Sequence, residues 1–181
     1  SLIFRDFYST DAMRAIFDDR HLVQCWLDTE AALARAQAGL QIIPTSAAAE
    51  ITRQAQTEQI DLDKLRQSIN LVGYPIVGLV KQLAGLCDED AGRYVHWGAT
   101  TQDIMDTGNV LQLRAAITVI ERDLVTLIEK LTTLARTHRD TVMAGRTHGQ
   151  HALRITFGYK VAVWIDELRR HAERFAQCRP R

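Results

Sequence analysis

Apolar residues recur at helical spacing along most of the chain. Val110, Leu113, Ile117, Ile120, Leu124, Leu127, Leu131 and Leu134 alternate in steps of three and four, and every position of that stripe is apolar. A seam of this kind predicts a long helix, from about Gln102 to Thr137, that packs along other helices. Thr101 is expected to cap it, because its hydroxyl can accept from the first-turn amides. At 1.5 Å per residue the helix is roughly 54 Å long. A compact globule of 181 residues has a radius of gyration of only about 16 Å, so such a helix protrudes or lies along neighbours in an oligomer. A second stripe, Phe157, Val161, Trp164, Leu168, His171 and Phe175, predicts a helix that stops before Pro180. His171 on that stripe reads as a packing or hydrogen-bonded histidine. The stretch from His138 to Ile155 between the two long helices is expected to be a loop, and connections of that length are often functional.

The first half of the chain carries shorter periods. Leu22, Val23, Trp26, Leu27 and Leu33 predict a helix over Asp19 to Ala38, stopped by Gly39 with Pro44 beyond it. A helix from about Ser46 to Gln56 follows. Asp61 is placed to cap Leu62 to Ser68. Gly73-Tyr74-Pro75 breaks the chain, and Pro75 is placed to open a helix through Leu86. Asp88 to Gly92 reads as a turn. Strand-like alternation is nearly absent. The expected fold is therefore all-α: a small helical N-terminal domain over 1–92, then the first long helices of a central bundle over 93–181, cut short.

Composition removes several function classes. Hydrophobic residues make up 46% and charged residues 24% of the chain, as in a globular domain. The 22 Lys and Arg balance the 22 Asp and Glu. A nucleic-acid or membrane-surface binder would normally carry a basic excess. No apolar run is long enough to span a bilayer, and no basic-then-apolar leader signals secretion. Cys25, Cys87 and Cys178 are odd in number, far apart, and contain no Cys-x-x-Cys. They read as reduced packing thiols in a cytoplasmic protein.

Two polar, glycine-bearing stretches carry the candidate chemistry. One is His96-Trp97-Gly98-Ala99-Thr100-Thr101-Gln102-Asp103; the other is Arg146-Thr147-His148-Gly149-Gln150-His151. Glycine lets backbone approach a ligand, and the amides opening a helix attract anions. The pair suggests a pocket for a polyanionic substrate with a histidine beside it. Running the apolar stripe backwards reaches Asp106 and Asp103. Acids favour helix N-termini, but their alignment with the seam suggests that they also organise a site. His148 and His151 are close enough in sequence to suggest a metal pair, yet no third ligand is evident, so no metal is expected.

The same residues resemble the aspartase/fumarase superfamily, in the branch holding adenylosuccinate lyase and 3-carboxy-cis,cis-muconate cycloisomerase. His96-x-Gly98-Ala99-Thr100-Thr101-Gln102-Asp103, with Asp106-Thr107 and Leu111-Gln112-Leu113-Arg114, is similar to the first substrate-contacting region of that branch. Gly145 to Ala152, followed by Thr156-Phe157-Gly158, is similar to the second. The resemblance implies a helical lyase without a cofactor, assembled as a homotetramer. It implies β-elimination of a C–N or C–O bond from a small dicarboxylate, commonly releasing fumarate. On that reading His148 is the general acid, a role suited to an imidazole. His96 aids binding or acid chemistry. Thr100, Thr101, Gln102, Asp103 and Gln150 bind substrate, and Arg146 is structural or balances charge.

Three departures shape the expectation. The family's mobile Gly-Ser-Ser…Met-Pro-x-Lys loop, which supplies the base, does not occur in these residues, so the chain reads as the N-terminal portion of a lyase, inactive alone. Arg154 stands where a proline is usual. Asn70 to Pro75 lacks the histidine that adenylosuccinate lyases tend to place there. Another amino-linked dicarboxylate therefore suits the chain better than adenylosuccinate. The alternatives are a muconate-type cycloisomerase and a non-catalytic helical assembly module.

Overall fold

The computed structural model describes residues 3–179. It is all-α apart from one two-stranded hairpin. Short helices α1 (Arg5–Tyr8) and α2 (Asp11–Ile16) lead into α3 (Asp19–Gly39), α4 (Thr45–Gln54), a single 3-10 turn (Thr57–Gln59), α5 (Leu62–Val72), α6 (Pro75–Leu86) and α7 (Glu89–Gly92). Then come α8 (Thr101–Thr137), strands β1 (Val142–Thr147) and β2 (Gln150–Thr156), and α9 (Phe157–Cys178). Pro180, expected as the last helix's stop, lies outside the described residues.

Local chemistry accounts for most helix ends. Asp61 accepts from the Lys64 amide at 3.0 Å, satisfying one of the donors that a helix start leaves unpaired. Gly73 adopts φ 80 and its amide closes on the Ile69 carbonyl at 2.8 Å. The helix thus runs to Val72 rather than Ser68, since a left-handed cap is what ends it. Pro75 opens α6, as expected. Gly39, by contrast, is not the left-handed stop of α3. It is the last helical residue, and Gln41 takes the positive φ of 61. The expected turn at Asp88 tightens into α7, with Asp88 accepting from the Ala91 amide at 2.7 Å.

Packing divides the chain into two compact units, Ser1–Ala115 and Ala116–Arg181. In the first, α3 is the spine. Its apolar face (Val23, Trp26, Leu27, Ala31 and Ala34) joins Ile51 of α4, Leu65 of α5, and Ile76, Leu79 and Leu83 of α6 in one core. Leu27, Ile51, Leu79 and Leu83 are fully buried, and each such side chain contributes about 2 kcal/mol of apolar transfer free energy. Ile104, from the first turns of α8, belongs to this core.

In the second unit α9 returns antiparallel to α8. Gly158 sits so close to α8 that an added Cβ would lie 2.6 Å from the Ala135 carbonyl oxygen. At the opposite end Arg179 donates to the Glu121 carboxylate and to the Thr118 hydroxyl. Val161 and Ile165 are buried between these anchors. The apolar seam of α8 is only partly covered: Val110, Leu113 and Leu127 remain about half exposed, at 53%, 52% and 44%.

The connection from His138 to Ile155 is the main departure from expectation. It is not a loop but the β1–β2 hairpin, antiparallel, with Val142 opposite Thr156 and Thr147 opposite Gln150. The register shifts between Ala144 and Arg146, where Ala152 and Leu153 oppose Gly145 alone. That bulge scrambles the alternation by which a strand is recognised. A side chain at Gly145 would meet the Leu153 carbonyl oxygen at 2.9 Å.

Candidate functional site

The loop between α7 and α8 is fastened to α3 by two side chains two helical turns apart. Gln37 Nε2 donates to the Trp97 carbonyl at 2.7 Å. The carboxylate of Glu30 meets the ring of His96, with Oε1 and Nδ1 2.6 Å apart. Residues seven apart lie on one face of a helix, so α3 presents both at the same loop. His96 adopts φ 60 and Gly98 φ 69. Left-handed backbone is uncommon for a histidine, and here the Glu30 contact accompanies it.

Glu30 is 2% exposed, and its second oxygen, Oε2, is buried without a partner. Burial pushes the Glu30 carboxyl above its ordinary range, and the contact with His96 pulls it back down. His96 Nε2, in contrast, is not among the unpartnered atoms sealed from solvent. Glu30 was absent from the expected site. One signal could have found it: an acid standing in line with Val23, Trp26, Leu27 and Ala34 on a buried face.

Thr100, not Thr101, occupies the cap position of α8. The Asp103 carboxylate accepts from the Thr100 amide at 3.0 Å, and the Asp103 amide donates to the Thr100 carbonyl at 3.1 Å. The acid at the third helical position thus reaches back to the cap amide, as in half of a capping box, and the helix includes Thr101. Gln102 Nε2 donates to Asp106 Oδ1 at 2.5 Å, one turn along. Both acids are exposed in this chain. Among the described residues, no hydrogen bond uses the amides of Thr101 or Gln102, or the hydroxyls of Thr100 or Thr101. The start of α8 therefore keeps donors open toward an anion.

His148 and Gln150 lie in the second unit, on the hairpin. His148 and Gly149 form its two-residue tip with φ 49 and 75, the positive pair that a type I′ turn requires. Gln150 and His151 open β2, with His151 opposite Arg146. All of these side chains are exposed. His96, Thr100, Thr101, Gln102 and Asp103 thus belong to the first unit, and His148 and Gln150 to the second. His171 follows its expected role: Arg174 Nη1 donates to its Nδ1 at 3.2 Å on the surface of α9.

Among the described residues no group of three His, Cys, Asp or Glu side chains gathers as a metal site, and no helix is long and apolar enough to cross a membrane. A polar cavity lies beside the N-terminal segment, lined in part by Arg5, Arg14, His21 and Thr57. It contains none of the expected site residues. Its Arg14 is already committed, to the Arg5 and Ser9 carbonyls at 2.5 and 2.7 Å and to Asp6 at 2.8 Å.

A family model described as lyase matches residues 7–181. The chain belongs to the fumarase/aspartase lyase superfamily. This lyase-family chain is 47% identical, over 174 residues, to adenylosuccinate lyase of Methanothermobacter thermautotrophicus, covering 96% of this chain and 39% of that protein. It is 42% identical to trans-aconitate decarboxylase 1 of Mycosarcoma maydis, covering 97% of this chain and 36% of the relative. The crystal structure of 3-carboxy-cis,cis-muconate lactonizing enzyme from Pseudomonas putida matches with a TM-score of 0.95 at 44% identity, covering 99% of this chain and 42% of that one. The chain therefore spans about two fifths of the length of these relatives.

Proposed function

We propose that this lyase-family chain supplies the carboxylate-binding and proton-donating parts of an enzyme that eliminates an amine from a succinyl-type dicarboxylate. A base takes a proton from the carbon next to one carboxylate, the C–N bond breaks, and an acid protonates the departing nitrogen. The products are fumarate and a free amine. His148 is assigned as the acid, and no residue of this chain is assigned as the base. Thr100, Thr101 and Gln102 hold a substrate carboxylate at the start of α8, Asp103 shapes that start, His96 lies beside it, and Gln150 binds a second carboxylate or amide. The names of the relatives fit this assignment: adenylosuccinate, trans-aconitate and carboxymuconate are all polycarboxylates. The half-exposed α8 seam suits assembly with further helices in a homotetramer.

The observation that carries the reading is the open set of donors at Thr101 and Gln102, five and six residues after the imidazole of His96 on the loop that leads into α8. The test is a titration of isotopically labelled chain with succinate, and with propionate as the single-carboxylate control, followed by NMR. The expected result is saturable shifts of the Thr101 and Gln102 amides and the His96 ring with succinate and much weaker ones with propionate. Unmoved signals at tens of millimolar succinate would overturn it. A second reading, cycloisomerisation of a carboxymuconate, is favoured by the match to the Pseudomonas putida enzyme. Turnover of 3-carboxy-cis,cis-muconate by the whole enzyme, with no fumarate released from amino-linked succinates, would establish that reading instead.

A further inference from the structure

The structure points to Glu30 as a positioning residue that sets the tautomer of His96. The inference deepens the proposed site and rests on His96 belonging to it. Three observations meet here. First, Oε1 of Glu30 and Nδ1 of His96 are 2.6 Å apart, close enough for a charge-assisted hydrogen bond. Second, Glu30 is buried and its Oε2 has no partner. His96 is therefore the only group bonded to this carboxylate among the described residues. Third, among the described residues no hydrogen bond reaches Nε2 of His96 and that atom is not sealed from solvent, and the adjoining chain leads straight into the open amides of α8.

With Glu30 ionised, its carboxylate can only accept, and the proton of the contact then lies on Nδ1. Nε2 then bears the lone pair. Free histidine favours the opposite tautomer. Without Glu30, Nε2 would present a proton rather than a lone pair. A carboxylate behind an imidazole performs the same duty in other enzymes, holding the ring and its tautomer without touching the substrate. The pair therefore equips His96 to accept a hydrogen bond or a proton at Nε2.

The test reads the tautomer directly. Long-range nitrogen–proton NMR of the labelled chain above neutral pH separates a protonated ring nitrogen from a bare one, with no substrate present. For His96 the expected pattern is Nδ1 protonated and Nε2 bare. In Glu30→Met, which keeps the volume and removes the acceptor, the population moves to the Nε2–H form. Finding Nε2–H in the unaltered chain would overturn the inference, because Glu30 would then be the protonated partner. An unchanged tautomer in a folded Glu30→Met would overturn it as well. If that variant fails to fold, the unaltered chain alone still decides. The succinate titration tests the site and this spectrum tests the dyad, so either can fail without the other.

Discussion

Gly108 of α8 lies against the indole of Trp26. A Cβ at residue 108 would sit 2.5 Å from Trp26 Cδ1 and 3.0 Å from its Nε1. Glycine inside a helix ordinarily costs about 1 kcal/mol relative to alanine, so its presence here reflects the close approach of α3. Trp26 is 7% exposed and packed within the core, so its ring yields only by disturbing that packing. Gly108→Ala is expected to lower stability by about 1–3 kcal/mol, because overpacking outweighs the propensity gain. Gly85, near the end of α6, has nothing within 4 Å of a would-be Cβ, and Gly85→Ala should be neutral or stabilising. Urea unfolding of the two variants checks this. A stabilised Gly108→Ala would mean that the α3–α8 contact is looser than described.

What the sequence revealed and what it hid divide along a physical line. The starts at Asp61 and Pro75 and the chain break at Gly73 depend on a few adjacent residues and were legible, although α5 reaches that break instead of ending at Ser68. So was the α8 stripe, whose period is set by the helix itself. The hairpin was hidden because the bulge at Gly145 breaks the two-residue alternation, and because His148-Gly149 is a less familiar I′ pair than Asn-Gly. Glu30 was hidden for another reason. Its partner, His96, is 66 residues away, and only the packing of α3 against the α7–α8 loop brings them together. The two motif stretches stood out by their polar, glycine-bearing pattern and took their expected roles from the resemblance, whereas the contact of Asp103 with the Thr100 amide needed the structure.

The Glu30–His96 pair makes stability depend on pH. Burial raises the Glu30 carboxyl above its ordinary 4.5, and His96 lowers it. Removing the imidazole therefore raises it further. A carboxyl raised in the folded state contributes its full stability below the unfolded value and loses it as pH rises through the folded one. His96→Gly, which accepts the positive φ without strain, should thus be mildly destabilising near pH 4. Near pH 8 the loss should reach about 3 kcal/mol, as expected for an uncompensated buried charge. Thermal melts across that range check it. A penalty independent of pH would show that the pair does not carry the buried charge.

The three thiols should separate by reactivity. Cys178 is exposed, while Cys25 is buried. Burial, helped by the charges of Glu50 and Asp88, pushes the Cys87 thiol up to about 11, and burial, with Asp28, also raises Cys25. Near pH 8 only on the order of one in a thousand Cys87 side chains is a thiolate, the form that reacts. Labelling of the native chain with a disulfide reagent should show one fast equivalent, lost in Cys178→Ser. Two fast equivalents would mean that the α6–α7 junction opens readily.

His148 combines a backbone demand with a chemical one, and substitutions can separate them. At φ 49 in a two-residue turn, a β-branched residue is a steric outlier, whereas asparagine is tolerated there. His148→Val should therefore loosen the hairpin, seen as faster amide exchange along β1 and β2. His148→Asn should keep the turn and remove only the imidazole. If His148 is the acid of the proposed elimination, His148→Asn in the whole enzyme lowers turnover about a hundredfold or more while the melting temperature holds. A loss below threefold with the hairpin intact would remove the acid role and favour ring-closing chemistry, in which protonation of a leaving nitrogen is not required.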